Sequence, residues 1–187
     1  MADLITSELD VDMKNSWRTD PEVFNALNKE FNFSLDAAAS HDNYLVPNYL
    51  TKKEDALSVD WFSACKEITA YTCVAINRSV FINPPYSRGM VEKFMQKSVE
   101  ESRKGCTVVL LVPATLDAQW LPRNDISEIR IVTGGRLSFY HPINNKKVNG
   151  NTKGSMFVIF RPTTMPCVIG MIDRNEFLGK PKKIKAA

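Results

Sequence analysis

The apolar run Val80-Phe81-Ile82 stops at Asn83-Pro84-Pro85-Tyr86. Proline has no N–H and holds φ near one value, so a strand that reaches two successive prolines must end there. At such an end the Asn83 side-chain oxygen and a nearby backbone carbonyl can point the same way. Two acceptors at that spacing suit the two N–H groups of an exocyclic amine, and Tyr86 offers a flat face on which a base can stack. At average composition the tetrapeptide arises by chance in roughly one chain in a thousand of this length. A functional reading is therefore preferred to a plain Pro-Pro turn.

The rest of the chain reads as alternating helices and strands. Thr19-Asp20-Pro21-Glu22 reads as a capping box that starts a helix near Thr19, and Val23, Phe24, Leu27 and Phe31 give it an apolar face. A short strand over Phe33–Ala37 carries Asp36 at its end, and a second acid, Asp60, precedes Trp61. A strand within Val74–Ile82 delivers Asn83. A helix over Arg88–Lys104 follows, with Met90, Val91, Phe94, Met95 and Val99 as its stripe and Gly105 as its stop. Cys106 to Val112 is continuously apolar, the mark of a strand buried on both faces. Glu128–Thr133 predicts one more strand, and Arg136–Tyr140 with Met156–Arg161 predict an antiparallel pair. The pattern predicts a three-layer α/β domain over residues 16–178, with a flexible tail at 1–15 and a basic tail at 179–187. Ligands in such sheets bind outside the carboxyl ends of the strands, which would gather Asp36, Asp60 and Asn83 on one edge.

Composition narrows the chemistry. The four cysteines, at 65, 73, 106 and 167, form no CxxC pair, and only two histidines are present, so no metal site is expected and the thiols are read as reduced. No apolar run is long enough to span a membrane. The opening MADLITSELDVDMK is acidic and polar, which predicts a cytoplasmic protein with no export signal. Residues 1–100 hold 10 basic and 15 acidic side chains, whereas residues 101–187 hold 14 and 6. The basic C-terminal half either tracks a phosphate backbone or serves solubility.

Several motifs recur in an order that resembles a known family. Trp17-Arg18-Thr19, Phe24, Leu27, Phe31-x-Phe33-x-Leu35-Asp36-Ala37-Ala38-Ala39, Asp60-Trp61, Phe81-Ile82-Asn83-Pro84-Pro85-Tyr86-Ser87, Leu110-Leu111-Val112-Pro113-Ala114 and Trp120 run as in phage-type DNA N-6-adenine methyltransferases, the phage Dam family. Gly135-Arg136-Leu137-x-Phe139 and Phe157-Val158-Ile159-Phe160 are similar to that family's closing hairpin, so the resemblance covers about residues 15–162. It implies a Rossmann-like, S-adenosylmethionine-dependent methyltransferase fold with a mostly parallel sheet and an antiparallel C-terminal hairpin. It implies S-adenosylmethionine as cofactor, double-stranded DNA as partner and adenine N6 as the methyl acceptor. The sequence departs from the general methyltransferase pattern in lacking a Gly-rich turn, since three alanines follow Asp36.

On this resemblance Asn83, Pro84, Pro85 and Tyr86 form the catalytic motif. Trp17, Thr19, Asp36, Ala37 and Asp60 are expected to contact the cofactor. Ser87, Arg88, Lys146, Lys147 and Lys153 are expected to contact DNA. Each flanking residue has a plainer reading as well. Asp36 also reads as a turn cap, Asp60 as a loop acid beside a core aromatic, Trp17 as packing at a helix start, and the lysines as a solvated loop. Two other classes compete: a methyltransferase for an RNA amine or a protein glutamine, and a catalytically inactive nucleic-acid-binding relative.

Overall fold

The computed structural model describes residues 16–69, 78–148, 153–163 and 166–180. The expected tail over 1–15, the residues before 78 in the expected Val74–Ile82 strand, the hairpin-tip residues 149–152 and the basic tail from 181 onward lie outside the described residues.

The chain enters through β1 (Arg18–Thr19) and turns at once into α1 (Pro21–Phe31). The helix starts one residue later than the capping-box reading places it. Thr19 pairs with Phe139 of a strand, and Asp20 is the cap, its carboxylate accepting from the Glu22 N–H at 3.0 Å. Pro21 occupies the first turn, where its missing N–H costs no helical hydrogen bond.

Six strands form the central sheet: β2 (Leu35–Asp36), β3 (Ser79–Ile82), β4 (Thr107–Pro113), β5 (Glu128–Thr133), β8 (Ser155–Phe160) and β9 (Val168–Asp173). Their order is β2-β3-β4-β8-β5-β9. β2, β3 and β4 run parallel, as do β5 and β9, and β8 lies antiparallel between β4 and β5. The mixed α/β architecture and mostly parallel sheet are compatible with a methyltransferase fold.

Alternation along the central strands builds two cores. Val108, Leu110 and Val112 face one side with Val158 and Phe160, beneath α2 (Trp61–Thr69) and α3 (Met90–Arg103). Val109 and Leu111 face the other side with Phe157 and Ile159, beneath α1. Each buried face repeats every second residue, as a pleated strand requires.

The closing hairpin differs from expectation. The segment expected at Arg136–Tyr140 does not pair with β8. It supplies only β6 (Phe139–Tyr140), which pairs antiparallel with β1 on one side and β7 (Lys147–Val148) on the other. β8 is buried at every position and fits the gap between β4 and β5, where the apolar run Met156–Phe160 finds partners on both edges. The small β1-β6-β7 sheet is what brings residues 17–19 toward the end of β3.

Candidate active site

Asp36 and Asn83 meet because β2 and β3 run parallel with Asp36 opposite Phe81, so both strands end at the same edge. A small open cleft lies there, lined by Trp17, Thr19, Asp36, Ala38, Asn43, Leu45, Phe81 and Asn83.

The Pro84 position explains the geometry of Asn83. In the β3–β4 ladder Thr107 N–H donates to Arg78 O at 2.8 Å, and Ser79 is opposite Thr107. Continuing that register, the Leu111 carbonyl would receive the N–H of residue 84. Pro84 has none, so the ladder stops and leaves a carbonyl to be satisfied. The Tyr86 hydroxyl takes this place, lying 3.2 Å from Leu111 O and 2.9 Å from Asn83 Oδ1. Asn83 Nδ2 donates in turn to Trp17 O at 3.3 Å. The carboxamide is therefore held at both ends, with its oxygen on the Tyr86 side. An amide oxygen has two lone pairs, so one remains for an incoming N–H. Burial pushes the Tyr86 phenol well above its ordinary pKa. It stays neutral and donates hydrogen bonds; it is not a base.

Asp36 is the second fixed point. Its carboxylate accepts from Ala38 N–H at 3.3 Å and Leu45 N–H at 3.1 Å, and it is 3% exposed. Burial pushes its pKa up to about 6, against the pull of these two backbone donors. Among the described residues no cation faces it. Asp36 therefore organises a turn, and it also lines the cleft.

The remaining expected contacts divide. Trp17 and Thr19 line the cleft. Ala37 does not; it is buried in the core beneath α2 and α3, and its neighbour Ala38, in the bend after β2, lines the cleft instead. Asp60 is at the opposite end of the sheet. It caps α2 through Ser63 N–H at 2.7 Å and pairs with Lys104 Nζ at 2.7 Å. Lys104 closes α3 just before β4 begins, which is the amino edge of the sheet, whereas Asn83 is at the carboxyl edge. The Lys104 ammonium and the Ser63 N–H hold the Asp60 carboxyl down at about 2.

Ser87 and Arg88 lie at the turn before α3; Ser87 O accepts from Met90 N–H at 3.1 Å and Arg88 is exposed. Lys147 is drawn away from an open loop role, since its ammonium pairs with Asp20 at 2.6 Å and Glu22 at 3.3 Å. It straps β7 to the start of α1. Lys146 and Lys153 are exposed. The β6–β7 turn comes close to the cleft through His141, whose ring meets the edge of Trp17 at 5.3 Å.

Asn43 and Leu45 are lining residues that sequence reasoning passed over. They sit in an irregular loop with no motif of its own. The loop is placed by Asp36 itself, through Leu45 N–H, and by the paired bonds between Ser40 and Asn43 at 3.0 and 3.1 Å.

Residues 6–184 match the family described as DNA N-6-adenine-methyltransferase (Dam). The chain belongs to this family. Dam-family relatives include a DNA N-6-adenine-methyltransferase of Escherichia phage T1, 26% identical over 166 residues covering 80% of this chain. Another, of Haemophilus phage HP1 (strain HP1c1), bears the same name and is 27% identical over 154 residues, covering 80% of each chain. The match spans 63% of the phage T1 protein, so this Dam-family chain accounts for less than two thirds of that relative's length. Among the described residues no helix is long and apolar enough to cross a membrane.

Proposed function

We propose that the protein transfers a methyl group from S-adenosylmethionine to the N6 amine of adenine in double-stranded DNA, in the bacterial host cytoplasm. The observation that carries this reading is the clamped Asn83 carboxamide at the mouth of a cleft that also holds a buried, cation-free carboxylate. Family membership and the names of the phage relatives support the substrate. The RNA, protein-glutamine and inactive readings have no observation of their own.

The cleft suits the cofactor by its chemistry. A buried carboxylate without a cation fits a ligand that brings positive charge, and Trp17, Asn43 and Thr19 add an aromatic face and polar groups beside Asp36. These residues would hold the cofactor, which supplies an electrophilic methyl group when bound.

The protein's own part lies in orienting the amine. Its nitrogen lone pair is delocalised into the adenine ring, so the amine is a weak nucleophile. The free lone pair of Asn83 Oδ1 and a backbone carbonyl of the Pro84-Pro85 turn accept its two N–H groups, favouring a pyramidal nitrogen. As positive charge develops on that nitrogen the two acceptors bind it more strongly, which stabilises the transition state. Because Tyr86 and Trp17 already hold the carboxamide, no reorganisation is needed when the amine arrives. The product ammonium is acidic and loses its proton to water. The adenine must leave the duplex to reach this edge. Tyr86, with its hydroxyl anchored in the sheet, would present its ring to the flipped base.

Incubation with methyl-labelled S-adenosylmethionine and unmodified duplex DNA, followed by nucleoside analysis, should yield N6-methyladenine. Label only in RNA or protein, or none at all, would refute the proposal.

Asp36 gives the proposal a pH signature. Its folded pKa, about 6, is above the ordinary 3.8. The neutral form is thus favoured by folding, and its stabilising contribution is full below about 3.8 and lost as pH rises through 6. At pH 7 the fold carries a buried anion at a cost of roughly 3 kcal/mol. A cationic ligand repays that cost only when Asp36 is charged. Cofactor affinity should therefore be flat above pH 7 and fall about tenfold per unit below pH 6. Calorimetric titrations should show this for the wild type and not for Asp36→Ala; the same profile in both would remove Asp36 from the binding role.

A further inference from the structure

We propose that Tyr44 and Tyr49 form a nucleobase-stacking platform at the mouth of the Asn83 cleft, taken up by the DNA base next to the position the adenine vacates. This rests on the DNA-methylation reading above. Tyr44 lies between two lining residues, Asn43 and Leu45, yet is itself 50% exposed. It therefore sits on the rim while its neighbours turn inward. Its ring is stacked on Tyr49, with centroids 4.6 Å apart and planes 9° from parallel. Tyr49 is fixed in turn: its hydroxyl is 3.1 Å from His41 Nδ1, and it bridges to Asp36 in the sheet.

The backbone beneath is equally constrained. Leu45 N–H is held by the Asp36 carboxylate, and Asn43 and Ser40 exchange two backbone bonds. A side chain placed only to bury apolar surface would be covered. Tyr44 instead has one face packed on Tyr49 and half its surface in solvent. The result is a flat aromatic face, organised in advance, beside the cleft that takes the extruded base. Such faces stack on bases of any identity. Exposed Lys52 and Lys53 follow on the next turn, where the Glu54 and Asp55 carboxylates are engaged by Thr51 and by Leu57 and Ser58.

Extruding a base breaks stacking that the duplex must recover elsewhere, and a mismatch opposite the target lowers that demand. Methylation kinetics on two duplexes carrying the site mapped from the wild-type product separate the possibilities, one matched and one mismatched at the target adenine. Tyr44→Ala should lower kcat/KM on the matched duplex by about tenfold to a hundredfold. The deficit should shrink to within about threefold on the mismatched duplex. Tyr44→Phe, which keeps the face, should stay within about twofold of wild type on both, and S-adenosylmethionine affinity should be the same in all three proteins. Equal deficits on the two duplexes, or a matching loss of cofactor affinity, would show Tyr44 to be loop packing and overturn the platform. A change in oligomeric state on Tyr44→Ala without DNA would assign the face to a second copy and overturn it too. A wild-type protein that methylates DNA while Tyr44→Ala is indistinguishable from it overturns the platform alone. A wild-type protein that transfers nothing to DNA overturns both the platform and the reading beneath it.

Discussion

Asn83→Ala should abolish nearly all methyl transfer, lowering kcat by about 10²–10³-fold, the usual cost of deleting one preorganised polar group that acts on developing charge. The fold should survive. Removing the carboxamide frees the Tyr86 hydroxyl, but Leu111 O at 3.2 Å remains to accept from it. Trp17 O loses a bond of 3.3 Å on a partly exposed part of the chain. The thermal midpoint should thus move by only a few degrees. Asn83→Asp is a useful companion. It keeps an oxygen for Tyr86 and the amine but places an anion against the Trp17 carbonyl, so the side chain loses the bond that orients it. Its kcat should lie between those of wild type and Asn83→Ala, with cofactor affinity little changed in either. Single-turnover rates isolate this chemical step from product release. An Asn83→Ala rate within a few-fold of wild type would remove Asn83 from the mechanism.

The legible part of this site is the part carried by short-range covalent geometry. Two prolines end a strand wherever it lies in the fold, so Asn83 could be placed at a strand end without knowing its neighbours. Asp36 follows Phe33-x-Leu35, a short alternating strand pattern that also placed it at a strand end. What was not legible depends on contacts far apart in sequence. Asp60 beside Trp61 resembles a strand-end acid, and only the meeting with Lys104, 44 residues away, shows it to be a helix cap at the other edge. Lys147 looks like a solvated loop cation until Asp20 and Glu22 come into reach across the small sheet. The apolar run of β8 reads as a strand, but a strand buried at every position carries no mark of its neighbours. Its insertion between β4 and β5 was therefore invisible, and a local hairpin was the simpler expectation. The prolines predicted a chain break; they did not predict that Tyr86 would use the carbonyl left behind.

The amino edge of the sheet should respond in the opposite sense, losing stability while leaving the chemistry alone. Glu101 is 0% exposed, and its carboxylate takes Lys97 Nζ at 2.8 Å, Lys104 Nζ at 2.9 Å and Phe62 N–H at 3.1 Å. Lys97 is itself nearly buried, with its ammonium 5.7 Å from the centre of the Trp61 ring. Glu101→Ala would take the carboxylate away from that nearly buried ammonium. Breaking a buried pair from one side costs about 3–5 kcal/mol, because the remaining charge stays desolvated. A domain of this size has about 5–15 kcal/mol in total, and each kcal/mol moves its midpoint by roughly 2–4 °C. The midpoint should therefore fall by about 6–20 °C. Replacing both partners, Lys97→Met with Glu101→Leu, should recover much of the loss, since an apolar pair needs no charge compensation. Asp60→Asn should cost far less, because the Asp60–Lys104 pair is exposed and such pairs contribute about 0–1 kcal/mol. At temperatures where each variant is folded, S-adenosylmethionine affinity and kcat should match wild type in all of them. Thermal denaturation together with calorimetry checks both halves of this expectation. A cofactor affinity that falls with Asp60→Asn at unchanged stability would return Asp60 to the binding site and contradict its placement at the amino edge.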